Sequence, residues 1–328
     1  MICVAQKRRA QVQREAVGVQ ALACSEGTLK RELQHAGPDQ PSLGSFGAAR
    51  TGAPRSVLAR KRALVARAML ADCRFCAHDC RVNRLAGEKG LCHAGAEARF
   101  FSAQTEVSDE LELIPTFAVA LSGCDLRCDF CITGASSWNP RAGAGFDAQT
   151  MAARAKAALR DGARTIMVLG GEPTIHLPAA LEFVSRLPET AKLIWKTNAH
   201  GSAPARELLD GMFDIWLADF KFSNDACAQR LAKVPDYVRV VQENLRWAAG
   251  HSELIVRHLL MPGHVECCWQ PVAEWLAANL PGVKVNLRSG FWPAWQAARH
   301  GELRQRVLKS ESDRATALAR EFNLNLIP

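Results

Sequence analysis

The chain has 328 residues, enough for one large domain with a smaller one attached. Its net charge of +8 is local: residues 1–67 hold 12 Lys/Arg against 4 Asp/Glu, and the remainder balances at 29 of each. No apolar run approaches the roughly 20 residues of a membrane-spanning helix. Lys7-Arg8-Arg9 leads into a mixed polar stretch and not into a signal-peptide core, so a cytoplasmic location is expected.

In chain order, residues 1–55 form a basic tail broken by Gly, Pro, Ser and Gln, which predicts disorder. It lacks the interleaved aromatics that stack on bases, so a nucleic-acid partner is not expected. An alternative is that translation starts near Met69. Residues 56–71 carry apolar positions at helical spacing and open a cysteine-rich module spanning 56–110. Within it, Cys73, Cys76, Cys80 and Cys92 are spaced C-x2-C-x3-C-x11-C, with His78 and His93 close by. Four such thiols can wrap a zinc ion or a second iron–sulfur cluster, and the spacing leaves both open. Metal-type grouping of this kind belongs to a reducing compartment.

Cys124, Cys128 and Cys131 then lie in Gly123-Cys124-Asp125-Leu126-Arg127-Cys128-Asp129-Phe130-Cys131. Three thiolates at C-x3-C-x2-C can hold three irons of a [4Fe-4S] cubane and leave the fourth open to a cofactor or substrate. A zinc knuckle would pair two short Cys/His knuckles. An electron-transfer protein would add a fourth thiolate, for which only an unpaired cysteine such as Cys267 is available.

From residue 116 onward, apolar runs at 117–121, 166–169, 193–195, 215–218, 254–260 and 283–287 alternate with helical patterns at 148–159, 179–187, 205–212, 238–249 and 271–280. Residues 310–322 read as a closing helix. This alternation implies parallel strands joined by right-handed crossovers. The predicted fold is therefore α/β, a partial (βα)6 TIM-like barrel over 111–328 preceded by the small cysteine-rich metal-binding module. Barrel chemistry gathers at the C-terminal strand ends. Here the runs end on the cysteine loop, Gly170-Gly171-Glu172-Pro173, Lys196-Thr197-Asn198, Asp219-Phe220-Lys221, Arg257-His258 followed by Met261-Pro262-Gly263, and Asn286 with Arg288-Ser289. Any one of these alone reads as a cap or a surface residue; six in register point to a site.

The cysteine spacing, with Phe130 before the last cysteine, and Gly170-Gly171-Glu172-Pro173 about forty residues later resemble the radical S-adenosylmethionine (SAM) superfamily. The resemblance implies a [4Fe-4S] cluster on Cys124, Cys128 and Cys131, and SAM chelating the open iron with its amino group held by the Gly-Gly-Glu edge. It further implies reductive cleavage of SAM to methionine and a 5′-deoxyadenosyl radical that abstracts hydrogen. Thr197-Asn198, Asp219-x-Lys221 and Arg257-His258-x3-Pro262-Gly263 are similar to segments of glycyl-radical-enzyme activases such as pyruvate formate-lyase activating enzyme. That likeness implies cofactor contact by Asp219, Lys221 and His258; a packed core histidine is the ordinary alternative for His258, a solvated rim lysine for Lys221. The segment from Cys73 to Cys92, with Asn83 and Gly87-Glu88-Lys89-Gly90, resembles the opening of an uncharacterised activase-like branch, and the likeness spans residues 70–300.

This chain departs from the activase pattern at Ile132-Thr133-Gly134-Ala135, at Lys196, and from Asn286 to Pro293, where substrate should be met. Trp138, Trp292 and Trp295 could line a substrate channel, although ordinary packing is the simpler expectation. Cys227 and the vicinal Cys267-Cys268 show no ligand spacing and are expected to be free thiols. The reading is a cytoplasmic radical SAM oxidoreductase acting on a protein or peptide, supplied with electrons by a flavodoxin- or ferredoxin-type donor. The alternatives are a radical SAM enzyme for a small molecule or nucleic acid, or a non-catalytic iron–sulfur or zinc-binding interaction protein.

Overall fold

The computed structural model describes residues 52–107 and 110–328; residues 1–51 of the expected tail lie outside the described residues. The first helix, α1 (Arg55–Met69), has a Pro54 N-cap with no side-chain bond of its own. The Glu189 carboxylate serves instead, accepting from the Arg55 and Ser56 amides at 2.9 Å each, which places negative charge where the helix dipole favours it. After the cysteine segment come β1 (Arg99–Glu106) and β2 (Thr116–Leu121), which pair antiparallel.

Every position of β2 is buried, as expected of a strand covered on both faces. A parallel ladder runs from it through β4 (Thr165–Gly170), β5 (Leu193–Thr197), β6 (Ile215–Asp219), β7 (Glu253–Leu259) and β8 (Lys284–Arg288). The short β3 (Ala144–Gly145) extends the β1 edge, and β9 (Asn325–Leu326) adds in parallel to β8. The result is one open sheet in the order β3-β1-β2-β4-β5-β6-β7-β8-β9, an α/β partial barrel as expected. The six central strands fall on the six apolar runs of the sequence. The added strands β1, β3 and β9 were not anticipated: they are short, edge-placed or partly exposed, and lack the apolar run of a buried parallel strand.

Between the strands lie α2 (Ala135–Trp138), α3 (Ala148–Arg160), α4 (Leu177–Val184), α5 (Ala203–Leu209), α6 (Asp225–Ala232), α7 (Tyr237–His251), α8 (Gln270–Asn279) and α9 (Lys309–Glu321). Asp147 accepts from the Thr150 amide and caps α3; Ser202 and Asn224 do the same for α5 and α6. Helix α6 is the one long enough to count that the sequence pattern did not show, because its apolar face is only Ala228, Leu231 and Ala232.

Two apolar layers result. The larger lies between sheet and helices, and α1 packs into it beside α4. The smaller fills the barrel interior with Leu113, Ala118, Met167, Ile194, Ile215, Leu217 and Ile255. Side chains alternate across a strand, so the next inward positions toward the C-terminal ends are Leu169, Lys196, Asp219 and Arg257. The interior is thus filled and apolar at the bottom and polar at the top.

Candidate active site

Above the filled interior, a cavity of about 590 Å³ is lined by Cys124, Cys128 and Cys131 together with the ends of β4 to β8 and the C-terminal Ile327 and Pro328. Cavities of this size suit a cofactor-sized ligand. Gly170, Gly171, Thr197, Asn198, Asp219 and Lys221 line it, and so do Lys196, Arg257, Asn286 and Arg288. Glu172, Pro173 and His258 do not.

Two glycines bring the β4 end against the cysteine loop. A Cβ on Gly171 would sit 2.0 Å from the Gly123 carbonyl, and one on Gly170 2.1 Å from that of Leu121. This closeness lets the Gly171 and Glu172 amides donate to Leu121 and Gly123 at 2.9 Å each. Glu172 then turns inward, buried. Its carboxylate accepts from the Thr174 amide at 3.0 Å, the Thr197 hydroxyl at 2.8 Å and the Asn198 amide at 2.7 Å. Burial, reinforced by the Asp125 charge, raises its pKa to about 7. In this geometry Glu172 ties the end of β4 to the end of β5.

Asp125, inside the cysteine motif, is equally buried. It accepts from Asn198 Nδ2 at 2.7 Å and faces His200 Nδ1 at 3.0 Å. Burial alone would raise its carboxyl, but His200, His78 and Asn198 outweigh that and hold it below the usual range. The His78 ring meets His200 edge-on at 5.0 Å. The 73–92 segment reaches the same corner through Ala77, whose amide donates to the His200 carbonyl at 3.0 Å. Asp125 and His200 were missed as site residues; the Asp lies within the motif but carries no ligand signal of its own.

Across the cavity, Asp219 is flanked by Lys221, whose ammonium bonds it directly, and by Arg257 Nε at 4.0 Å. Burial pushes Asp219 up, but Lys221, Arg257 and Lys196 together bring it below its ordinary value. Lys221 moves up against its own burial because Asp219 and Cys128 lie beside it. Arg257 is also paired with the fully buried Glu110 at 3.0 Å, a partner no sequence signal marks. His258 alternates away from the cavity. It is fully buried against Trp269, with Nδ1 2.7 Å from the Phe220 carbonyl, and burial drives its pKa down to about 4. The structure places it as a core histidine between strand and helix.

Three observations bear on an iron–sulfur cluster with an amino-acid-bearing cofactor. All three motif thiols face the cavity. Burial holds two of these thiols protonated, Cys128 up to about 12 and Cys124 well above its ordinary value, so a metal bound there would displace protons. Asn286, at the far wall, has a buried Oδ1 with no hydrogen-bond partner, and Lys221 and Asp219 offer opposite charges to an ammonium-carboxylate ligand. The residues present fit that group.

Cys73, Cys76, Cys80 and Cys92 all line one small void of about 10 Å³ with Gly90 and Arg84. The buried Arg84 guanidinium donates to the Ile175 carbonyl at 2.7 Å and lies 3.6 Å from Cys73 Sγ, the placement expected of a cation that offsets thiolate charge. A Cβ on Gly90 would come within 2.8 Å of Cys80 Sγ. Trp138 packs edge-on against Trp295 at 5.8 Å, and Trp292 stands half exposed at the cavity rim. Among the described residues, no helix is long and apolar enough to cross a membrane.

Residues 119–276 match the family model of the radical SAM superfamily. An uncharacterised protein of Methanocaldococcus jannaschii is 30% identical over 273 residues, which cover 80% of this chain and 78% of that one. Among solved structures, Streptococcus suis SuiB bound to the precursor peptide SuiA matches with a TM-score of 0.49 and 14% identity, over 62% of this chain and 46% of SuiB. The present chain therefore spans less than half of SuiB. A domain of pyruvate-formate lyase-activating enzyme from Bacteroides vulgatus matches at a TM-score of 0.40 and 18% identity, over 49% of this chain and 96% of that domain.

Proposed function

The chain belongs to the radical SAM superfamily of enzymes, and from that premise we propose that Cys124, Cys128 and Cys131 hold its [4Fe-4S] cluster and that SAM occupies the cavity beside them. The observation that carries this reading is the single cavity of about 590 Å³ onto which the three thiols and the polar ends of five strands open. When bound, the reduced cluster supplies the electron that cleaves SAM reductively, giving the species that takes hydrogen from a substrate.

The chain's own residues orient and enclose. The edge at Gly170 and Gly171 presents backbone close to the cysteine loop, and Glu172 locks it to Thr197 and Asn198. Asp219 and Lys221 line the cavity as an ion pair and would meet the charged end of such a cofactor. Leu126, Phe130, Leu169 and Leu259 give the remaining wall an apolar character that excludes water.

The substrate class we propose is a protein or peptide. Ile132 and Trp292 line the cavity mouth yet stand 78% and 54% exposed; exposed apolar groups of that size at a rim suit a macromolecular partner. A flavodoxin- or ferredoxin-type donor supplies the electron. For Cys73, Cys76, Cys80 and Cys92 we propose a second metal site, holding a zinc ion or a second iron–sulfur cluster. The described groups compact enough for one ion are Cys227 with His264, Cys267 and Cys268, and His78 with Asp125 and His200. The four cysteines surround a common void without belonging to either.

The test is anaerobic reconstitution, then SAM and dithionite, with 5′-deoxyadenosine read by chromatography beside a Cys128→Ala control. Product that vanishes in the control is expected. Absence of product from protein with a full cluster by iron content and absorbance would overturn the reading.

A further inference from the structure

Cys227, His264, Cys267 and Cys268 come together on the helix side of the sheet, their ligand atoms all within 4.8 Å of one another. Residues 264, 267 and 268 stand at i, i+3 and i+4, and such positions share one helical face. The turn Val265–Trp269 is a π-turn leading into α8, a form of helix enriched at functional sites. It presents both vicinal cysteines to His264: Nδ1 lies 3.4 Å from Cys267 Sγ and 3.4 Å from Cys268 Sγ. Cys227, in the first turn of α6, brings a third sulfur to 3.8 Å from the same nitrogen, and the two vicinal sulfurs are 3.9 Å apart.

A tetrahedral zinc ion with bonds of about 2.3 Å to sulfur and about 2.0 Å to nitrogen has edges of roughly 3.8 Å between sulfurs and roughly 3.6 Å between sulfur and nitrogen. The three nitrogen–sulfur distances and the Cys267–Cys268 distance already match these edges, and the Cys227 sulfur lies within 4.8 Å of the other two. They are too close for a cubane, and three thiolates with one imidazole are the donor set of a closed, structural zinc site.

The outer shell fits as well. The other ring nitrogen, His264 Nε2, lies 3.5 Å from Arg230 Nη2 and 3.7 Å from Glu302 Oε1, a carboxylate that Arg230 Nη1 holds at 2.6 Å. A carboxylate behind a ligating histidine fixes its orientation in metal sites. Asn224 Nδ2 and Ser223 Oγ both donate to the Cys267 carbonyl, at 2.8 and 2.6 Å, which fastens the turn to the start of α6.

We propose that Cys227, His264, Cys267 and Cys268 form a Cys3His zinc site that clamps α6 to the loop after β7. The clamp bears on the active site through α6. The carbonyls of Leu231 and Ala232 at its far end accept from the Asp129 and Arg127 amides of the cysteine loop, at 2.9 Å each. The site thus anchors the helix on which the cluster loop rests.

The experiment is site-resolved alkylation of the full-length protein with its cluster intact, before and after 1,10-phenanthroline, with zinc and iron measured by elemental analysis. The expected result is that Cys227, Cys267 and Cys268 resist labelling until the chelator is added. They then label together as about one zinc per chain is released, with Cys124, Cys128 and Cys131 still protected. A Cys227→Ser/Cys268→Ser double variant is expected to lose the same one equivalent of zinc. Immediate labelling of Cys267, which is exposed, would overturn the proposal. So would a disulfide among the three, or zinc content unchanged in the double variant.

Discussion

Two of the chain's cysteine groups, those around Cys73 and Cys124, face different environments. Cys124, Cys128 and Cys131 open on a cavity of about 590 Å³ bordered by Lys196, Asp219, Lys221 and Arg257. Cys73, Cys76, Cys80 and Cys92 border a void of only about 10 Å³ together with Gly90, Arg84 and Ile175. Three thiols beside open space leave a coordination position for a ligand. Four thiols around a narrow one can complete a metal's coordination themselves. The count of cysteines in each group therefore matches the space the fold gives it, and the expected roles divide accordingly, chemistry at the first and structure or electron storage at the second.

The sharpest way to break that division is to exchange the consequences. Cys128→Ala is expected to abolish 5′-deoxyadenosine formation to background. Cys73→Ser with Cys76→Ser is expected to lose the metal of the second group and lower the melting temperature, while cluster absorbance from the first group survives. Iron content and product analysis on both variants check this; equal loss of product in both would erase the distinction.

A smaller effect is expected on the open side. Lys221→Met leaves Asp219 beside Arg257 and Lys196 without its direct ammonium partner, and should weaken SAM binding by about tenfold, or roughly 1.4 kcal/mol, measured by calorimetry on the reconstituted protein. On the closed side, Gly90→Ala places a methyl group 2.8 Å from Cys80 Sγ. A several-fold loss of metal from that group is expected in elemental analysis, with the Cys124 group unaffected.

The smallest expected effect is a pH dependence that belongs to neither group. His176 and His258 are both driven by burial from 6.5 down to about 4. Between about pH 6.5 and pH 4 the unfolded chain binds protons that the fold refuses, so their contribution to stability falls as pH drops through that window. Glu172, raised to about 7, works in the opposite direction, since the fold keeps a proton that the unfolded carboxyl releases. The clean measurement is a difference: melting temperature against pH for the native chain and for His258→Gln. The variant is expected to show the shallower decline on acidification.

Asp125 and His200 show why part of the site was hidden. The sequence marks Asp125 only as a filler between two cysteines and His200 only as a residue past Thr197-Asn198. Their pairing at 3.0 Å depends on β5 lying two strands from β2, the strand that leads into the cysteine loop. His258 shows the converse. The likeness to activases puts it at the cofactor, yet a strand turns successive side chains to opposite faces, so with Arg257 and Leu259 facing the cavity His258 must face the helices.

The alternation of apolar runs and amphipathic segments was enough to determine the six parallel strands and the cysteine loop at the mouth of the barrel, because strand period, helix period and ligand spacing are local properties of the chain. Which polar strand end faces inward and how Glu110 reaches Arg257 were decided only in three dimensions. So was the meeting of Cys227 with a histidine and two cysteines some forty residues away. Those contacts join residues from separate βα units, and nothing in the spacing along one unit encodes its distance to the next.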